Sequence, residues 1–226
     1  MKVRWRITFL VSVAIAISYL DRQALPVAIK AIEQDIPVSN QQFSLLQTAF
    51  LLTYALMYAG GGRLMDLLGT RRGFTGIMVF WSLACASHGL AANLAMLAAC
   101  RLLLGAGEGG GFPAATRAVA EWFPVKERST AMGIINAGSA VGMIAAPPLI
   151  ALVLSFASWR WIFVLTGATG LAWTLWWRRD FFPPERHPKL AEAERHELRS
   201  VIHPDQAGER RLSWLELFRF RETWGV

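Results

Sequence analysis

Six apolar stretches separated by short polar links fill the first 179 positions. They run over about 7–29, 43–62, 74–92, 94–120, 130–156 and 161–177. Each is close to the roughly 20 residues a helix needs to cross the hydrocarbon core of a bilayer. The pattern predicts an all-α membrane protein, with six transmembrane helices forming one bundle over 1–179. From Asp180 onward the composition changes to Pro183-Pro184, His187-Pro188 and mixed charge. That change predicts a solvated segment over 180–226, with one amphipathic helix over 190–201. Positions 214–220 turn apolar again, as at the approach to a seventh helix. The basic start and the Ala14-Ile15-Ala16 triplet resemble a cleaved signal peptide. However, apolar character continues to position 29 and five more spans follow, so an uncleaved first helix is expected.

Composition agrees with that pattern. Hydrophobic residues make up 54% of the chain and charged residues only 17%, against about 25% charged in a typical soluble domain. A net charge of +7 raises the question of nucleic acid. The segment 180–226 nevertheless holds eight Lys/Arg against nine Asp/Glu. The basic excess therefore sits in the spans and their links. Lys2, Arg4 and Arg6 precede the first span, and Arg63, Arg71 and Arg72 lie between the second and third. Arg117, Lys126 and Arg128 lie between the fourth and fifth, and Arg178 and Arg179 follow the sixth. The opposite side carries only Lys30 and Arg160. By the positive-inside rule, six crossings with both termini cytoplasmic are expected. Cys85 and Cys100 both fall in apolar spans and are read as small core residues.

Charge inside the spans carries the functional information. The run from Arg101 through Glu108 to Pro113 contains Gly105, Gly107, Gly109, Gly110 and Gly111 within the fourth span. A charged group at a helix centre costs about 2.5–3.5 kcal/mol on insertion scales, so it belongs in a protein interior or a wet cavity. Arg101 and Glu108 are two helical turns apart and point the same way. The glycines permit close packing or a broken helix. The first span adds Asp21 and Arg22. One reading pairs these four charges as structural ties between helices. The functional reading is an anion site: arginine offers a planar fork suited to carboxylates, and the acids can exchange protons. That arrangement points to a transporter.

Other motifs are weaker. Gly105-Ala-Gly107-Glu-Gly109-Gly110 lacks the strand and βαβ setting of a dinucleotide loop. No His/Cys cluster has metal-ligand spacing, and no serine stands in a nucleophile elbow, so neither a metal, a cofactor nor an enzyme is expected. The segment from Gly62 to Arg72 reads as a tight cytoplasmic turn. In it Asp66 would form a latch with a basic residue, and Gly69 would permit the turn. Gly138-Ser-Ala-Val-Gly142 reads as a helix-packing face. Pro147-Pro148 should kink or bend its helix.

Four runs resemble the N-terminal half of a major facilitator superfamily transporter of the anion:cation symporter type. They are Tyr19-Leu-Asp21-Arg22, the run from Arg101 to Pro113, and Ala118 to Pro124 with Glu127-Arg128-Ser129. The fourth extends from Gly133 through Asn136 and Ser139 to Pro148, followed by Trp159-Arg160-Trp161. The resemblance is to bacterial carriers of hexuronate, galactonate and glucarate. It implies that Arg22 and Arg101 hold the substrate carboxylate and that Asp21 and Glu108 couple protons. It also implies that Tyr19 touches the sugar, that Asn136 or Ser139 assists, and that the protein sits in a bacterial inner membrane. The expected partners are a small organic anion, protons, the lipid bilayer and a second six-helix bundle absent from this sequence. In the resembling loop a basic residue follows the aspartate. Here Leu67 stands there, so the latch of Asp66 is expected to rely on Arg71 and Arg72. The expected function is proton-coupled symport of a sugar acid, with the chain a fragment. Two alternatives are the same family carrying another carboxylate and a non-transporting membrane assembly module.

Overall fold

The computed structural model describes residues 2–188 together with Leu190, Glu192, Arg195 and Leu198. Most of the predicted helix over 190–201, and all of the apolar stretch over 214–220, lie outside the described residues. Up to Asp180 the α-helices are, in order, α1 (Val3–Ile32), α2 (Asn40–Leu68), α3 (Thr70–Ser87), α4 (Leu94–Glu108), α5 (Gly111–Trp122), α6 (Val125–Leu154) and α7 (Arg160–Asp180). Short 3-10 turns occupy His88–Leu90 and Pro184–Arg186. No strand occurs among the described residues. Lipid offers no partner to backbone groups, so each crossing must satisfy its own N–H and C=O groups.

All six predicted spans are helical, but the fourth is two helices. α4 ends at Glu108 and α5 begins at Gly111, with Gly109 and Gly110 between them. Pro113 has no N–H to offer the Gly109 carbonyl, and its ring crowds that position. The chain responds by tightening. Gly110 N–H donates to the Gly107 carbonyl at 3.2 Å, a shorter loop than the α-helical one. α6, by contrast, runs unbroken through Pro147 and Pro148 to Leu154.

The helices pack chiefly as three pairs, α1 with α6, α2 with α4, and α3 with α7. Within lipid there is little hydrophobic drive between helices, so close van der Waals approach decides which faces meet. Each pair has a glycine at its crossing. A methyl at Gly142 would lie 2.2 Å from the Ala16 carbonyl oxygen, at Gly105 2.2 Å from that of Phe50, and at Gly167 2.5 Å from that of Ser82. Gly107 and Gly110 turn the other way, onto Trp81 and Ile77 of α3. The glycine-rich run thus lies between α2 and α3 and touches both closely.

The tight turn expected over 62–72 is shorter than that segment: α2 continues through Gly62, Arg63 and Asp66 to Leu68, and α3 starts at Thr70. The reversal is made by Gly69 alone, with φ 73° and ψ 151°. Met65 is fully buried beneath Gly73, which keeps the last turn of α2 helical. The conformation of Gly69 is nearly closed to residues with a Cβ and costs them about 1–3 kcal/mol. Gly69→Ala is therefore expected to lower stability by about that amount, read as a fall in the thermal midpoint of the purified chain. An unchanged midpoint would mean that the turn tolerates a side chain.

Candidate functional site

α1 carries the centre of the site. Ser18 and Arg22 are one turn apart and face α4 together, whereas Asp21 lies about 100° around the helix. Glu108, the last residue of α4, is where both converge. Ser18 Oγ and Arg22 Nε each donate to Glu108 Oε2 at 2.7 Å. The Glu108 side chain is fully buried, and Arg22 keeps 21% exposure. The structure therefore pairs Arg22 with Glu108, joining first and fourth spans, rather than Arg101 with its own helix partner.

Aromatic rings surround the Arg22 guanidinium. It lies 4.4 Å from the ring centre of Tyr54, 4.6 Å from Tyr19 and 5.6 Å from Phe50. The Arg101 guanidinium approaches the same Phe50 ring at 5.8 Å. Ring faces attract cations, more strongly where water is excluded. Phe50 thus lies within reach of both arginines. Arg101 is 1% exposed, and its Nε and Nη2 are buried with no hydrogen-bond partner among the described residues.

Asp21 turns away from this group. It is fully buried and accepts a 2.9 Å hydrogen bond from Trp81 Nε1 of α3, while its Oδ1 has no partner among the described residues. The other sequence candidates lie on α6. Asn136 donates to the Met132 carbonyl at 3.0 Å and Ser139 to the Asn136 carbonyl at 2.6 Å, both within their own helix. Asn136 is exposed and Ser139 half-buried. His88 packs against Phe163 and hydrogen-bonds the Ala84 and Cys85 carbonyls, the pattern of a core histidine. Cys85 and Cys100 are free and buried, and no grouping of His, Cys, Asp and Glu suited to a metal occurs among the described residues.

This is a buried polar centre in a bundle of apolar helices, with one cation paired to Glu108 and another with two nitrogens that find no acceptor among the described residues. Residues 11–226 match the profile of the Major Facilitator Superfamily. The chain belongs to that superfamily. It is a multi-pass membrane protein and not an enzyme. Among relatives of the superfamily, the galacturonate transporter of Dickeya chrysanthemi is 35% identical over 225 residues, covering 99% of this chain and 65% of its own length. The hexuronate transporter of Escherichia coli K12 is 31% identical over 228 residues, covering 99% and 52%. The chain thus spans about half to two thirds of the length of these relatives. A bacterial homologue of the human lysosomal transporter Spinster, inward-facing and unoccupied, superposes with a TM-score of 0.72 at 22% identity. That match covers 96% of this chain and 48% of the other. This likeness shows a shared fold, that of one superfamily half.

Several residues of the centre escaped the sequence reading: Ser18, Phe50, Tyr54 and Trp81. Ser18 had a usable signal, standing four positions before Arg22 on the same face. Tyr54, Phe50 and Trp81 sit in otherwise apolar spans, where nothing in the local pattern separates them from core or lipid-facing aromatics.

The segment at the basic end of the bundle also differs from expectation. Asp66 pairs with Arg117 of α5, whose Nη1 lies at 2.7 Å, and not with Arg71 or Arg72. α2 carries Asp66 on its exposed last turns, opposite α5. The Gly69 reversal sends Arg71 the other way, where it donates to the Arg178 carbonyl and covers the Phe182 ring at 4.0 Å. Arg117 also reaches Glu121, which accepts from Thr70. Since Asp66 and Arg117 are both well exposed, the pair by itself contributes little to stability.

At the opposite end, Asp35 follows α1 and receives hydrogen bonds from Arg160 and from Trp159 Nε1, the latter at 3.0 Å. These bonds hold its carboxyl below the ordinary value of 3.8, with the Arg160 hydrogen bond contributing most. A depressed folded value means that the stabilisation is fully present above the unfolded value and is lost as pH falls through the folded one. Asp35→Asn should therefore lower the thermal midpoint at neutral pH, and the gap should close in acid below pH about 4. A gap that stays constant with pH would show that the Asp35 charge is not involved.

Proposed function

We propose that the chain is the N-terminal six-helix half of a proton-coupled symporter for an organic anion. The substrate class is a sugar acid: a hexuronate, an aldonate or an aldarate. On this reading, residues 180–226 link to a second bundle, the membrane is the bacterial inner membrane, and both ends of the chain are cytoplasmic. The observation that carries the proposal is Arg101, a buried guanidinium with two nitrogens lacking an acceptor among the described residues, which shares the Phe50 ring with an Arg22 already engaged by Glu108. A carboxylate supplies the acceptor that Arg101 lacks, and arginine binds it through a planar fork.

The geometry is compatible with a coupling mechanism and supports it. While ionised, Glu108 occupies Arg22. A proton on Glu108 removes the charge that holds the pair, and Arg22 is then free to turn to the same anion as Arg101, around Phe50. Loading of the proton and of the substrate thus favour one another. Tyr19, whose ring lies under Arg22, would contact the sugar. Asp21 forms a second proton-accepting group on the α3 side. Asn136 and Ser139 lie on α6, which packs on α1, and would contact the far end of a longer substrate. The names of the relatives support the sugar-acid class.

The test is Arg101→Lys in the complete two-bundle transporter, reading galacturonate binding by isothermal titration. Lysine keeps the charge and loses the fork. A charge-assisted hydrogen bond contributes about 1.5–3 kcal/mol, so affinity should fall roughly 10- to 100-fold. Binding at wild-type strength would remove Arg101 from the site.

A further inference from the structure

A second feature lies away from this centre, where α1 begins and α7 ends. A cavity of about 150 Å³ opens there, lined by Arg6, Phe9 and Leu10 of α1, Trp176 and Arg179 of α7, and His187 beyond it. Two guanidinium groups, Arg6 and Arg179, border it, both exposed. The single carboxylate in the lining, Asp180, is already engaged: its Oδ2 accepts from Trp176 Nε1 at 3.0 Å and from Arg6 Nη2 at 3.4 Å. The lining therefore carries a surplus of positive charge. On the outer side, Phe9 and Trp176 meet edge to face at 6.2 Å and stay 56% and 39% exposed. The inner side is closed by Phe182 and His187, which are themselves in ring contact.

We propose that this cavity binds the phosphate of an anionic phospholipid, with the acyl chains running down past Phe9 and Trp176. Both helices cross the membrane, so their ends lie at headgroup depth. There, basic pockets between helices take anionic headgroups, and tryptophan marks the interface. The exposed aromatic pair favours a lipid over a free anion, since a soluble phosphate has no apolar part to place against it. Because Phe182 and His187 belong to the segment that leaves α7, an occupied cavity would also fix the direction in which the chain departs from the bundle. The inference is independent of what the buried centre transports.

The experiment is native mass spectrometry of the 226-residue chain extracted from vesicles of equal phosphatidylglycerol and phosphatidylcholine. The wild-type chain should retain phosphatidylglycerol in preference. Arg6→Ala/Arg179→Ala should retain it about tenfold less or weaker still, since each basic side chain at the surface contributes a several-fold factor. Asp180→Asn, which removes the competing negative charge and keeps an acceptor for Trp176, should retain more than wild type. That opposite sign distinguishes loss of a site from loss of fold. Equal retention of the two lipids, unchanged retention in the double variant, or reduced retention in Asp180→Asn would each overturn the proposal. Displacement of the lipid by millimolar inorganic phosphate would overturn it too, by showing a site for the free anion.

Discussion

Glu108→Gln is expected to abolish accumulation of the organic anion against its gradient while leaving exchange of anion across the membrane intact. Glutamine keeps the size of the side chain and an oxygen that can accept from Ser18, but it cannot lose or gain the proton. Glu108 then never holds Arg22 by charge, and Arg22 is permanently available to substrate. Affinity should hold or rise, and only the energy coupling should be lost. Removing one member of a buried ion pair usually costs about 3–5 kcal/mol because a bare charge is left behind. Here Arg22 retains 21% exposure and three aromatic rings within 6 Å, so the variant should still fold with a reduced thermal midpoint. The measurement is uptake into vesicles with an imposed pH gradient, beside counterflow of labelled anion without one. Gradient-driven accumulation by the Gln variant would show that the proton rides elsewhere, with Asp21 the next group to replace.

Much of this arrangement was legible in the residues because a bilayer makes the rules strict. A charge within an apolar span must have an internal reason, so Asp21, Arg22, Arg101 and Glu108 stood out without any knowledge of the fold. Their pairing was not legible. Sequence spacing placed Arg101 and Glu108 on one helix face, yet the bond that forms is between Arg22 and Glu108, 86 positions apart. That choice depends on α1 and α4 meeting beside the break at Gly109–Gly110, which depends in turn on Pro113. The latch was misread for a similar reason. Position 62 to 72 has the composition of a loop, but Met65 packs under Gly73 and holds the helix, so the reversal falls on Gly69 and Arg71 swings away from Asp66. Arg117 becomes the partner through the placement of α5, which local pattern does not specify.

The second large effect is expected from the smallest change, Gly105→Ala. In an isolated helix, alanine is preferred to glycine by about 1 kcal/mol. Gly60, also helical and with open space where a Cβ would sit, should show that gain when changed to alanine. At Gly105 the added methyl would sit 2.2 Å from the Phe50 carbonyl oxygen and 2.4 Å from Thr53 Oγ1. A backbone oxygen cannot rotate aside as a side chain can, so α2 and α4 must separate. Overpacking costs typically about 1–3 kcal/mol, and the clash with backbone places this site at the upper end or beyond. The displacement also reaches the functional centre, because Phe50 sits beside both arginines and α4 carries Arg101 and Glu108 at either end of the strained turn. Gly105→Ala should therefore lower the thermal midpoint of the purified chain and, in the complete transporter, weaken anion binding. Gly60→Ala should do neither. If the two alanine variants melt alike, the approach of α2 to α4 is looser than the structure has it, and the glycine-rich run is not closely packed.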